Sequence, residues 1–155
     1  YLTTNAKFLD GRKSSIYKNS PKFSIFGVGP YSFKPYKVAI SGFYKEPIFS
    51  LVYADKPIML DDTCYFLGFD DYIYALITTI ILNHSTVQNF VKSIAFLDSK
   101  RPYTKEILMR IDLVKATNEI DFCELMNSAN SMGLEIKLCE ADYKNYMEYI
   151  SEIQK

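Results

Sequence analysis

The sequence predicts an α+β domain, a small mixed or antiparallel sheet with packed helices and a C-terminal helical extension. Three observations carry this. Between Lys22 and Leu67, short apolar and aromatic runs are cut by Gly and Pro, the pattern of strands joined by turns. After Asp70-Asp71 the apolar spacing changes to that of a helix face. At 155 residues and 48% hydrophobic, the chain can bury one sizeable core but is too short for two ordinary domains.

Residues 1–20 are polar, rich in Ser and Lys, and without periodicity, and predict a loop or a short helix. The strand candidates are Phe23–Phe26, Tyr36–Ile40, Ile48–Tyr53 and Ile58–Leu67, separated by Gly27, Gly29-Pro30, Ser41-Gly42, Pro47 and Pro57. Ile73, Leu76, Ile77, Ile80 and Ile81 then fall at i, i+3, i+4, i+7 and i+8, with Asp70 or Asp71 as the N-cap. Asn83-His84 interrupts this helix. Ser85 with Gln88 three residues on has the form of a capping box, opening a second helix through Val87, Phe90, Val91 and Ile94. A polar loop over Leu97–Tyr103 leads to Thr104, a cap for a short helix through Ile107, Leu108 and Ile111. The rest predicts a helix at about Asn118–Met132 closed by Gly133, a strand at Leu134–Leu138, and a last helix near Asp142–Ile153.

A formal net charge of zero conceals a segregation along the chain. Residues 1–60 hold nine Lys and Arg against three Asp and Glu, a surplus of six positive charges. From Ile111 onward four Lys face nine Asp and Glu, a deficit of five. A basic first half suits an anionic partner, because cations beside phosphates gain by counterion release, although a plainly solvated basic surface has the same composition. Cys64, Cys123 and Cys139 are odd in number and widely spaced, with only His84 to join them, which supports neither a disulfide framework nor a structural zinc site. The longest apolar run, Tyr72–Leu82, falls short of the roughly 20 residues that span a bilayer. No signal peptide is evident, and a reducing cytoplasm is the expected setting. A chain that begins at Tyr1, in mid-pattern, reads as a piece of something longer.

Catalytic and metal chemistry find little support. Phe26–Phe33 has the glycines of a cofactor loop but lacks the third glycine and the helix that would present its amides, so a plain turn is expected. His84 falls between two helices, where a surface or capping role is expected instead of that of a catalytic base. Asp61 and Asp62 on a strand would point to opposite faces, and Asp70-Asp71 is explained by capping. No catalytic or metal-binding residue is assigned.

The positive signal lies elsewhere. Between Tyr31 and Lys37, Lys34 and Lys37 alternate with Tyr31, Phe33 and Tyr36, and cations beside flat rings suit phosphate contact and base or sugar stacking. The same residues also fit a hairpin whose rings fill the core while the lysines reach for water. Lys100-Arg101 is a second basic spot before the helix start at Thr104. Arg101 can bind guanine or phosphate in bidentate fashion, or instead pair with Asp98 or the acidic tail.

Several segments together, Phe23-Ser-Ile-Phe-Gly-Val-Gly29, Phe33-Lys-Pro-Tyr-Lys-Val-Ala-Ile-Ser-Gly42, Met59-Leu-Asp-Asp-Thr-Cys-Tyr-Phe-Leu67, Leu82-Asn83 and Ser99-Lys-Arg-Pro-Tyr-Thr104, resemble the C-terminal region of adenine-specific DNA methyltransferases from bacterial restriction–modification systems. The resemblance covers about residues 20–113. It implies a target-recognition domain that holds duplex DNA, beside an N-terminal methyltransferase domain that binds S-adenosylmethionine and flips the adenine. The family's Asn/Asp-Pro-Pro-Tyr/Phe motif and its cofactor glycine motif are both missing from this sequence, so no catalytic residue carries over and no cofactor is expected within it. The organisation expected is a DNA target-recognition domain over 1–116 and a mainly helical extension over 117–155. Tyr31, Lys34, Tyr36, Lys37, Lys100 and Arg101 are the candidate DNA-binding residues. The alternative is a protein-interaction or structural domain that docks on another part of its parent or on a second subunit.

Overall fold

A computed structural model describes residues 1–25 and 27–153. The chain divides into two units, Tyr1–Tyr31 and Ser32–Lys155. The first holds a short helix α1 (Ala6–Asp10) and a single 3-10 turn at Ser15–Tyr17, as the polar opening residues predict. Arg12 organises it: its guanidinium group donates to Leu9 O (2.8 Å) and Ser24 O (2.5 Å) and lies 3.9 Å from the Tyr17 ring centroid. Phe23–Ile25 forms no strand, and the last residue of that expected strand, Phe26, lies outside the described residues. Phe23 has φ of 69°, a left-handed conformation that breaks a ladder.

The second unit is α+β. Its sheet has three antiparallel strands, β1 (Tyr36–Ser41), β2 (Phe49–Tyr53) and β3 (Cys64–Phe69), in the order β2-β1-β3. Val38 sits opposite Leu51 on one side and Leu67 on the other, so β1 is the central strand. It is buried on both faces, which explains why its sequence lacks a polar alternation. β3 begins at Cys64 and not at Ile58. The Asp61 carboxylate accepts from the Thr63 amide (2.9 Å) and hydroxyl (2.5 Å), folding residues 61–63 into a turn before the strand can start.

Helix α2 (Tyr72–Asn83) is capped by Asp71, whose side chain accepts from Tyr74 N at 3.0 Å. Every residue from Ala75 to Leu82 is buried, because the sheet covers one side of α2 and later helices the other. Thr78 and Thr79 survive there by donating to Tyr74 O (2.7 Å) and Ala75 O (2.8 Å). Asn83 ends the helix with its amide on β2: Oδ1 accepts from Phe49 N (3.0 Å) and Nδ2 donates to Phe49 O (2.7 Å).

Helix α3 (Ser85–Ile94) is capped by His84, whose Nδ1 accepts from Thr86 N, and not by the box expected from Ser85 and Gln88. Gln88 is drawn away because its Nε2 donates to Pro47 O (2.6 Å) and Leu82 O (2.8 Å), fastening α3 to the β1–β2 connection. Thr104 occupies the N-cap position of α4 (Lys105–Leu108) without a side-chain capping bond.

The helix expected at about Asn118–Met132 forms as α6 (Phe122–Ser131), starting later than expected, and a further helix, α5 (Leu113–Glu119), precedes it. Ile120 is extended and buried between them, and Asp121 opens α6 in a reciprocal capping box with Glu124. Gly133, at φ 70°, closes α6 with Leu134 N donating back to Ala129 O (3.0 Å). Leu134, Ile136 and Leu138 do alternate against the core, but among the described residues they pair with no strand, so no fourth strand forms. Helix α7 (Glu140–Ile153) completes the layer. Its Tyr146 hydroxyl meets Thr78 Oγ1 at 2.9 Å, and its Tyr143 hydroxyl donates to Ile120 O (2.6 Å) and Thr117 O (2.9 Å). Ile120, Leu125, Tyr146 and Ile150 share one core with Val38 and Ile80.

Candidate nucleic-acid interface

The β1–β2 connection, residues 42–48, and the loop 95–104 meet at one end of the sheet. Gly42 lets the connection leave β1 close against the start of β3: its amide donates to Thr63 O (2.9 Å), and a Cβ there would stand 3.3 Å from that oxygen and 3.2 Å from the Tyr65 ring. Lys45 binds the two segments together, its Nζ donating to Ser99 O (2.9 Å) and to Leu97 O. Tyr103 is fully buried and donates its hydroxyl to Lys45 O (2.6 Å). Burial first, and the nearby Glu46 charge second, raise the Tyr103 hydroxyl above the usual tyrosine range.

On this brace sits a cation–aromatic group. The Arg101 guanidinium carbon is 4.7 Å and Lys100 Nζ 5.8 Å from the Phe43 ring centroid. Neither cation forms an ion pair among the described residues. Asp61 is close enough to feel Arg101, but its carboxyl is held below the usual range chiefly by the Thr63 hydroxyl and amide, with Arg101 the smaller influence. Lys100 and Arg101 are thus brought together with Phe43, and the exposed Tyr44 follows Phe43 in the chain.

The remaining candidates lie elsewhere. Lys34 and Tyr36 are at the opposite end of β1, about 17 Å away at 3.3 Å per residue. Lys34 pairs with Asp70. Tyr36 joins Tyr53 and Tyr72 in a ring cluster with centroids 5.5–6.2 Å apart. Burial first, and Tyr53 second, raise the Tyr72 hydroxyl. Lys37 is 1% exposed, with Nζ donating to Lys34 O (2.6 Å) and lying 5.8 Å from the Phe66 centroid. Desolvation lowers its pKa. The expectation that Lys37 faces DNA is therefore corrected: on a strand buried on both faces, this ammonium bonds to the chain itself. Tyr31 belongs to the first unit, where its hydroxyl donates to Gly27 O (2.7 Å).

Sequence reasoning missed Phe43, Tyr44 and Lys45 by treating Ser41-Gly42 only as a strand breaker. Two rings and a lysine directly after a turn glycine were the available signal. It also missed an apolar groove of about 470 Å³ beside β3, lined by Val38, Ile40, Leu67, Leu108, Met109 and Leu113. Those residues come from separate stretches of chain. Among the described residues no three His, Cys, Asp or Glu side chains converge on a metal-sized site, and no helix is long and apolar enough to cross a membrane.

Comparison with known proteins relates the chain to a methyltransferase. It is 50% identical over 115 residues to the Type II methyltransferase M.NspV of Nostoc sp., a match covering 73% of this chain and 24% of that protein. The chain therefore corresponds to about a quarter of that relative's length. No protein-family description matches the chain, and no solved structure matches it.

Proposed function

We propose that this chain is the DNA target-recognition part of an adenine-specific DNA methyltransferase of a restriction–modification system. The observation that carries the reading is the group at the sheet end, where Arg101 and Lys100 flank Phe43 beside an exposed Tyr44. Cations positioned by a rigid support contact phosphates, and an arginine can also read a guanine edge. Lys34, Tyr36 and Tyr31 are secondary candidates. The partners are duplex DNA and an N-terminal methyltransferase domain, and the setting is the cytoplasm.

S-adenosylmethionine belongs, on this reading, to that other domain. Support comes from the Gly27–Gly29 turn, which leads into a four-residue 3-10 helix at Pro30–Phe33, too short to present a phosphate-type cradle. Among the described residues, the apolar groove beside β3 has Lys105 as its single charged lining residue, which offers no carboxylate for ribose hydroxyls. That groove favours a second, compatible reading, in which this domain docks on another part of its parent protein.

The test is titration of the chain with labelled duplex DNA of mixed sequence at two salt concentrations. Substituting Arg101→Ala with Lys100→Ala should weaken binding to all sequences and flatten the salt dependence by roughly one unit of slope per lost phosphate contact. Affinity and slope unchanged in the double variant would sink the assignment.

A further inference from the structure

The sheet end carries more exposed ring surface than phosphate contact requires. Tyr44 is 66% and Phe96 79% exposed, with Phe43 and Leu97 partly open beside them. These side chains are not on a slack loop. Lys45 fastens Leu97 and Ser99 to the β1–β2 connection, Tyr103 anchors Lys45 from beneath, and Glu46 pairs with Lys92 of α3 at 2.5 Å. Ordering entropy is thus largely spent in folding, and Tyr44 and Phe96 stand exposed on the two fastened segments that carry Phe43 and the two cations.

A fully paired duplex offers such rings little, because its bases are stacked on one another and it presents phosphates and groove edges. An unstacked nucleotide offers both a π-face for a ring and a phosphate for a cation. We infer that this patch binds unstacked nucleotides, with Tyr44 and Phe96 as the stacking residues and Lys100 and Arg101 as the phosphate contacts. The chain then prefers DNA that contains unpaired bases over the same DNA fully paired. This rests on the DNA-binding reading above and specifies the state of DNA that the site selects.

The test is fluorescence anisotropy with the full chain against four probes: a paired duplex, the same duplex interrupted by a short unpaired loop, the single strand, and vesicles containing an anionic lipid. The interrupted duplex should bind about tenfold more tightly than the paired one. Tyr44→Ala and Phe96→Ala should each weaken binding to the interrupted duplex far more than to the paired one, removing most of that preference. Their melting curves should match the parent, since both rings are exposed. Arg101→Ala should weaken binding to every nucleic acid alike. Equal affinity for paired and interrupted DNA, or a preference that survives the Tyr44→Ala, Phe96→Ala double variant, overturns this inference and leaves DNA binding standing. Vesicle binding without affinity for any oligonucleotide overturns both.

Discussion

Replacing Asn83 with alanine removes a side chain that does the work of a strand partner. Its amide accepts from Phe49 N (3.0 Å), donates to Phe49 O (2.7 Å) and donates to Thr79 O (2.9 Å), all in a half-buried setting. Each such bond contributes about 1 kcal/mol net, and water can replace part of what is lost, so Asn83→Ala should cost about 2–3 kcal/mol. For a chain of this size that lowers Tm by about 5–10 °C. Asn83→Asp is the sharper probe. It keeps an acceptor for Phe49 N but sets a carboxylate oxygen against two carbonyls where an N–H donor had been. Ionisation is then disfavoured in the folded state, and the folded pKa of the new acid rises above its unfolded value of about 3.9. The variant is least impaired below that value, where the neutral carboxyl can donate to Phe49 O, and loses stability as pH rises between about 4 and 7. Urea titrations followed by circular dichroism across this range measure the effect, with Asn83→Ala as the control lacking the new titration. An alanine variant within about 0.5 kcal/mol of the parent, or an aspartate variant that tracks alanine at every pH, would refute the strand-partner account.

Three further outcomes follow from buried groups. Lys37→Met should leave DNA affinity within about twofold of the parent, because the ammonium is spent on Lys34 O and Phe66, and anisotropy measures this directly. In the parent, the lowered pKa of folded Lys37 makes stability rise with pH as the lysine is neutralised, up to its unfolded pKa of about 10.4. The methionine variant should lack that rise in alkaline denaturant titrations. Tyr143 is pushed up to about 12, by burial first and by Asp121 and Glu124 after it. Its contribution is therefore intact below the unfolded tyrosine pKa of about 10 and disappears as pH climbs through the folded value. Tyr143→Phe should be less stable at neutral pH by about 1–3 kcal/mol, since the carbonyls of Ile120 and Thr117 lose their donor, and should lack this alkaline loss.

Local chemistry made much of the fold legible. The periodicity from Ile73 to Ile81 with Asp71 before it located α2 and its cap, and the aromatic runs at Tyr36 and Phe49 located two strands. Where the reading failed, a partner distant in sequence intervened. Gln88 would serve a capping box if α3 were isolated, but Pro47 lies within its reach. Leu134–Leu138 has a strand's alternation, yet burial of alternate side chains does not supply the ladder that defines a strand. Lys37 looked like a surface cation because nothing local reveals that β1 is the central strand.

The candidate site divides along the same line. Composition located the basic half of the chain, and residue chemistry singled out Arg101 and Lys100, because charge and donor geometry belong to each side chain wherever it folds. Phe43 was a different matter. A ring 58 residues before Arg101 becomes its neighbour only when the β1–β2 connection folds against the 95–104 loop. Lys34 and Arg101, alike in sequence as cations beside aromatic residues, end at opposite ends of one strand. Side-chain chemistry names the groups able to meet phosphates and bases wherever they lie, whereas packing selects the cations that stay available, because burial and internal hydrogen bonding are properties of the packed chain.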